Sequence, residues 1–123
     1  MNSDEPTETY IFNGNDQGVN DIPETGTGFV VTEGPLAGSR FVLNRPVSTL
    51  GRHPESDLFF DDITVSRRHA EIAIDSSGAS VRDVGSLNGT YVNLVQIDDT
   101  TLIAPGDTLQ IGKFKLVFFQ ESK

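Results

Sequence analysis

His69-Ala70-Glu71-Ile72-Ala73-Ile74, then Ser76-Ser77-Gly78, then Val81-Arg82-Asp83-Val84, spells out a strand, a turn and a second strand. Ala70, Ile72 and Ile74 share one parity, as a half-buried strand requires, because successive side chains point to opposite faces. The same texture extends both ways. Upstream, Phe29-Val30-Val31-Thr32 leads through Gly34-Pro35-Leu36-Ala37-Gly38 into Arg40-Phe41-Val42-Leu43, followed by Val47–Gly51 and Leu58-Phe59-Phe60. Downstream lie Thr90-Tyr91-Val92, Thr101-Leu102-Ile103, a Pro105-Gly106-Asp107 turn, Leu109-Gln110-Ile111 and Phe114–Phe119. Short strands at about ten-residue spacing, with no helical period, predict an all-β, two-sheet β-sandwich. Each sheet then buries its Val, Ile, Leu and Phe against the other.

Residues 1–27 read differently. They hold Asp4, Glu5, Glu8, Asp16, Asp21 and Glu24 with no Lys or Arg, a balance of −6, whereas the remainder carries 12 acids and 9 bases, or −3, of the total −9. They show no sustained hydrophobic period, so 1–27 is expected to be a disordered acidic tail and 28–120 the folded domain. Within the tail, Thr7-Glu8-Thr9-Tyr10-Ile11-Phe12 places three large apolar side chains after threonine and acidic residues. It reads either as a short linear motif or as a stray apolar cluster.

Composition narrows the function classes. The chain has no cysteine, which removes disulfides and thiolate chemistry, and no apolar run approaches a membrane span. A cytoplasmic monomer with no membrane partner is the expectation. A charge of −9 disfavours broad affinity for nucleic acid, whose phosphates demand a basic surface. The cationic and hydroxyl side chains that do cluster, at Gly51-Arg52, Ser66-Arg67-Arg68-His69 and Ser86-Leu87-Asn88-Gly89, lie on loops between strands. A guanidinium can hold two phosphate oxygens at once, so these loops read as a local anion pocket, with a peptide-borne phosphate as the anion. For Arg52 the competing role is a strand-end cap or an ion pair with Asp57. The adjacent Asp61 and Asp62 invite a metal reading, but without further ligands they read as loop solvation. Ser66, His69 and Asp83 supply the residue types of a hydrolytic triad, yet no strand-turn-helix elbow presents Ser66 as a nucleophile. The chain is accordingly expected not to be an enzyme and to need no cofactor.

The spacing of Gly51-Arg52, Ser66-Arg67-Arg68-His69 and Asn88-Gly89 resembles the forkhead-associated (FHA) family, over roughly residues 27–120. The resemblance implies an FHA fold, a two-sheet β-sandwich of about eleven strands, that binds phosphothreonine peptides through Arg52, Ser66, Arg67 and Asn88. It makes His69 a structural bracket, with Gly51 and Gly89 as backbone requirements. Leu87 occupies a position that is often a hydroxyl or small polar residue. Ser86 is then the candidate substitute for that phosphate contact, while Leu87 could pack on the phosphothreonine methyl.

Longer stretches, Gly51–Asp57, Asp61–Glu71, Asp83–Asn93 and Gln110–Phe118, are similar to a narrower group of actinobacterial regulators, the glycogen accumulation regulators and oxoglutarate dehydrogenase inhibitors. That likeness implies a switch. The open form would bind and inhibit 2-oxoglutarate dehydrogenase and modulate glutamate-metabolising enzymes. A Ser/Thr protein kinase would phosphorylate Thr9, and the phosphorylated tail would dock into its own domain. Thr9 keeps Phe12 at the third following position, while Glu8 replaces the first threonine of the group's pair, leaving one site where relatives have two. The alternative is an adaptor that recruits kinases or their substrates in trans, without self-inhibition.

Overall fold

The computed structural model describes residues 26–120; the disordered-tail expectation and Thr9 lie outside the described residues. Eleven strands fall into two sheets, in agreement with the sandwich expected from the alternation. The six-stranded sheet has the order β2 (Arg40–Val42), β1 (Thr27–Glu33), β11 (Phe114–Gln120), β10 (Thr108–Ile111), β7 (Thr90–Val92), β8 (Val95–Gln96). The five-stranded sheet runs β4 (Leu58–Phe59), β3 (Val47–Gly51), β5 (Ala70–Asp75), β6 (Gly78–Asp83), β9 (Thr101–Ile103). The β5–β6 hairpin legible in the sequence is present, with Ile72 opposite Val81 and Ala70 opposite Asp83.

Alternation decides what is buried. In β11, Phe114, Leu116 and Phe118 are buried while Lys115, Val117 and Phe119 are only partly so. Facing them from the other sheet are Leu50, Ile72 and Val81, all essentially inaccessible. Phe60 links the layers, its ring 4.9 Å from Phe114 and 5.5 Å from Phe41 by centroid. Tilted pairs of this kind add to the burial of apolar area.

The strand that the sequence did not announce is β8. Its hairpin with β7 turns through Asn93 and Leu94, both with positive φ (50° and 71°). Such turns favour glycine at the second central position, and leucine there hides the usual signal. Asn93 compensates by donating its side-chain amide to Asp107 (3.1 Å) and accepting the Thr108 N–H (3.0 Å).

Two substitutions check this account by urea unfolding. Phe60→Ala should cost about 3–5 kcal/mol, since its ring is fully buried between the sheets. Leu94→Gly should stabilise by about 0.5–1 kcal/mol, because Leu94 is exposed and pays for a left-handed conformation without packing in return. A neutral or destabilising result at Leu94 would mean that its side chain packs in solution.

Candidate functional site

Gly51 ends β3 where two backbones touch. A Cβ at that position would lie 2.1 Å from the Arg67 carbonyl oxygen, so only glycine fits. The close approach lets Arg52 N–H donate to Ser66 O (2.9 Å) and His53 N–H to Arg67 O (3.2 Å). The β3–β4 and β4–β5 loops are therefore zipped together, and Arg52, Ser66 and Arg67 are neighbours although fourteen residues separate the first from the second.

The third loop, between β6 and β7, is tied in by His69, whose side chain is completely buried. Its Nδ1 accepts the Ser66 N–H (3.1 Å) and its Nε2 lies 2.8 Å from Gly89 O. An acceptor at Nδ1 and a carbonyl at Nε2 define the neutral tautomer protonated at Nε2. Burial lowers the His69 pKa below its ordinary 6.5, against the opposing pull of Gly89 O and the Asp83 charge. Protonation at Nδ1 would also set a second donor against the Ser66 N–H.

Asp83 shapes the same loop. One carboxylate oxygen accepts Gly85 N–H (2.8 Å) and Ser86 N–H (2.9 Å), and the other accepts the hydroxyls of Ser86 and of buried Thr90. Burial disfavours its charge, but these hydrogen bonds prevail and push the carboxyl down to about 2. Ser86 Oγ also accepts Gly89 N–H (2.9 Å), so its hydroxyl is engaged both as donor and as acceptor inside the turn. Gly89 has a φ of 91°, which strains any residue with a Cβ, and the tip of the Gln96 side chain would have to move aside for one.

The expected ligands that remain are differently disposed. Arg52 Nε donates to Val65 O (3.0 Å), which orients the guanidinium and leaves its terminal nitrogens without a partner among the described residues. Ser66 Oγ accepts the Leu87 N–H (2.9 Å) and keeps its own hydrogen to donate. Asn88 is exposed and anchored by one amide hydrogen to Thr64 O (3.0 Å), so its side-chain oxygen is open. Leu87 stands 88 % exposed beside it. Asp57 does not pair with Arg52; it accepts Thr49 N–H (2.9 Å) and meets Arg45 at 3.5 Å.

Charge pairing separates the site from the rest of the surface. Of the eight Lys and Arg among the described residues, Arg45, Arg82, Lys113 and Lys115 have carboxylate partners and Arg40 stacks on Phe119. Arg52, Arg67 and Arg68 have none among the described residues, and all three border these loops.

Two residues escaped sequence reading. Thr64 accepts the Lys113 N–H (3.1 Å) and receives Asn88, while its hydroxyl and N–H both go to Asp62 (2.6 and 2.9 Å). Asp62, read as solvated, thus supports the Asn88 anchor and pairs with Lys113 at 3.1 Å. Asp62-Ile63-Thr64 does have the spacing of an Asx turn, but only the fold brings Asn88 to it. The triad arrangement is not formed, because both His69 ring nitrogens are committed to backbone groups.

The His69 linkage has a testable sign. An unfolded chain takes up a proton near pH 6.5, whereas the folded site resists it, so stability present above pH 6.5 is lost as pH falls toward the lowered folded value. The carboxyls held below 3.8 act only at lower pH. Urea unfolding should show falling stability from pH 7.5 to pH 5, and His69→Gln should be destabilised at pH 7.5 with a flatter profile. A flat wild-type profile would refute the buried neutral imidazole.

Comparison with known proteins is consistent with this geometry. A family model described as the FHA domain matches residues 48–112, which contain all three loops. The chain is 54 % identical over 106 residues to a glycogen accumulation regulator of Mycolicibacterium smegmatis, covering 86 % of this chain and 66 % of that protein. It is 56 % identical over 99 residues to an oxoglutarate dehydrogenase inhibitor of Corynebacterium diphtheriae, covering 80 % and 68 %. The match thus spans just under two thirds of the first protein's length. A solved domain from a structural and functional analysis of phosphothreonine-dependent FHA domain interactions superposes with a TM-score of 0.72 at 26 % identity, covering 80 % of this chain and 99 % of that one. With its glycine-arginine, serine-to-histidine and asparagine-glycine loops joined as described, the chain belongs to the FHA domain family, in the group of the glycogen accumulation regulators and oxoglutarate dehydrogenase inhibitors.

Proposed function

We propose that this protein is a phosphothreonine-reading regulatory switch, with domain 28–120 as the reader and 1–27 as the segment it reads. The observation that carries this reading is the cluster of guanidiniums without carboxylate partners at Arg52 and Arg67, beside a Ser66 hydroxyl free to donate. In a chain of charge −9, uncompensated cations gathered on adjoining loops await an anion. Arg52 and Ser66 grip phosphate oxygens, Arg67 adds charge, and Asn88 holds the peptide backbone through its open amide oxygen. Ser86, engaged by Asp83 and Gly89, positions the loop rather than touching phosphate. Gly51, His69 and Gly89 keep the loops in register.

Thr9 is the modification site, with a cytoplasmic Ser/Thr kinase as the enzyme acting on it. The likeness to proteins named oxoglutarate dehydrogenase inhibitors supports an unphosphorylated form that binds and restrains 2-oxoglutarate dehydrogenase or related glutamate enzymes. Phosphorylated Thr9 would then compete by docking in cis. The nineteen residues from Thr9 to Gly28 span about 22–26 Å as a flexible chain. Tethering supplies an effective concentration on the order of millimolar. Against a micromolar free peptide this favours closure by about 4 kcal/mol, enough to close nearly every modified molecule.

Titration of a phosphorylated peptide of residues 1–15 into the unmodified protein should shift the amides of Arg52, Ser66 and Asn88 together. Arg52→Ala should weaken binding at least about 100-fold, the effect of losing two charge-assisted hydrogen bonds. In kinase-treated protein the same resonances should move without added peptide. Unchanged affinity in Arg52→Ala would remove the phosphate reading. Pocket shifts seen only with added peptide would leave a reader acting in trans.

A further inference from the structure

Arg68 has no role in the contacts described so far. Its side chain is exposed, with no ion pair or hydrogen bond among the described residues. It lies at a groove of about 510 Å³ on the outer face of the five-stranded sheet, where Thr49, Glu71 and Arg82 are cross-strand neighbours. Three guanidiniums, Arg67, Arg68 and Arg82, line this groove against two carboxylates, Glu55 and Glu71. Glu71 is held by Arg82, with Nη2 2.8 Å and Nε 3.1 Å from one oxygen. Glu55 offsets one of the two other guanidiniums, so three arginines against two glutamates leave the groove a formal excess of one positive charge, at Arg67 and Arg68.

A second depression, of about 310 Å³, borders the β6–β7 loop and shares Arg82 with the first. Asp83, Asp98 and Asp99 line it with Leu87, and Arg82 is its one cation. The loops that would hold the phosphate therefore adjoin a groove with a cationic excess, through Arg67, and an acidic one, through Ser86, Leu87 and Gly89. A bound peptide that reaches into both meets opposite fields.

Resting on the phosphothreonine reading above, we infer that this asymmetry selects peptides with acidic residues before the phosphothreonine and none directly after it, that Arg68 is the residue making the selection, and that Asp4–Phe12 of this chain is the ligand so selected. Three of the five residues preceding Thr9 on the 4–8 stretch, Asp4, Glu5 and Glu8, are acidic. The six that follow, Tyr10 to Asn15, carry no charge. Placed with its acidic half along Arg67 and Arg68, the segment keeps its neutral half beside Asp98 and Asp99.

The sign of the effect is diagnostic. A protein of charge −9 repels an acidic peptide as a whole, so a preference for one must come from cations close to it. At physiological salt, screening over about 8 Å removes most of the distant repulsion and leaves the adjacent arginines dominant.

The test uses the unmodified full chain and two peptides of residues 1–15, each phosphorylated at Thr9 and each also prepared without the phosphate. One is native and the other carries Asp4→Asn, Glu5→Gln and Glu8→Gln. By calorimetry the native peptide should bind about five- to tenfold tighter, as expected for two or three solvent-exposed ion pairs. Arg68→Gln should bring that ratio down to about twofold, the share left to Arg67, mostly by weakening the acidic peptide. Equal binding of both peptides by the wild type, or tighter binding of the neutral one, overturns the selection. An equal loss for both in Arg68→Gln overturns Arg68's part in it and makes that residue a phosphate cation. If neither phosphopeptide binds better than its unphosphorylated form, the phosphothreonine reading fails and this inference fails with it.

Discussion

A single neutral imidazole, sealed inside the protein, joins two loops that are remote in sequence. His69 accepts from Ser66 N–H and faces Gly89 O, while its own backbone is paired to β3 and to Val84. Buried polar groups are tolerable only when every donor and acceptor is matched, and here both ring nitrogens are. The consequence reaches beyond the ring. Ser66 is fixed at its backbone by His69 and at its hydroxyl by Leu87 N–H, so the one proton it can offer a ligand is oriented in advance. Pre-ordering of this kind lowers the entropy a loop site loses on binding.

Support for the site is layered. Asp83 ties the β6–β7 turn through four hydrogen bonds, and Asp62 with Thr64 ties the β4–β5 loop to Asn88 and to the β10–β11 turn. None of these carboxylates needs to touch a ligand. They consume the backbone donors of tight turns, and they leave the guanidiniums uncompensated. Acidic residues are plentiful in this chain, yet they pair with the lysines and with the arginines away from the loops. The electrostatic contrast between site and surroundings is thus produced as much by where the acids are placed as by where the arginines are.

The same placement gives the site a direction. Its two flanks differ in charge, and the segment around Thr9 differs in charge on its two sides. A phosphate alone would be gripped identically in either peptide orientation, so flanking charge is a physical means of discriminating among phosphothreonines. On the proposed reading, affinity and selectivity are adjusted separately, one through Arg52 and Ser66, the other through the groove.

Period-two alternation and turn residues made most strands legible, because burial on a sheet face imposes a pattern on the chain itself. The β7–β8 hairpin was hidden because Leu94 sits where the turn chemistry favours glycine, held there by Asn93's bonds to a distant loop. The candidate site was legible as a set of residues, through the spacing of Gly51-Arg52, Ser66–His69 and Asn88-Gly89. Their division of labour was not: Ser86 carries the same hydroxyl as Ser66, yet its own turn engages it through Asp83 and Gly89, while Ser66 accepts a distant N–H and keeps its proton free. The chain by itself determined the sandwich, the acidic tail and which side chains could meet an anion, since these follow from local pattern and composition. Tertiary structure alone decided which arginines stay unpaired and which loops the Asp62–Thr64 turn supports, because both depend on partners far away in sequence and brought near by packing.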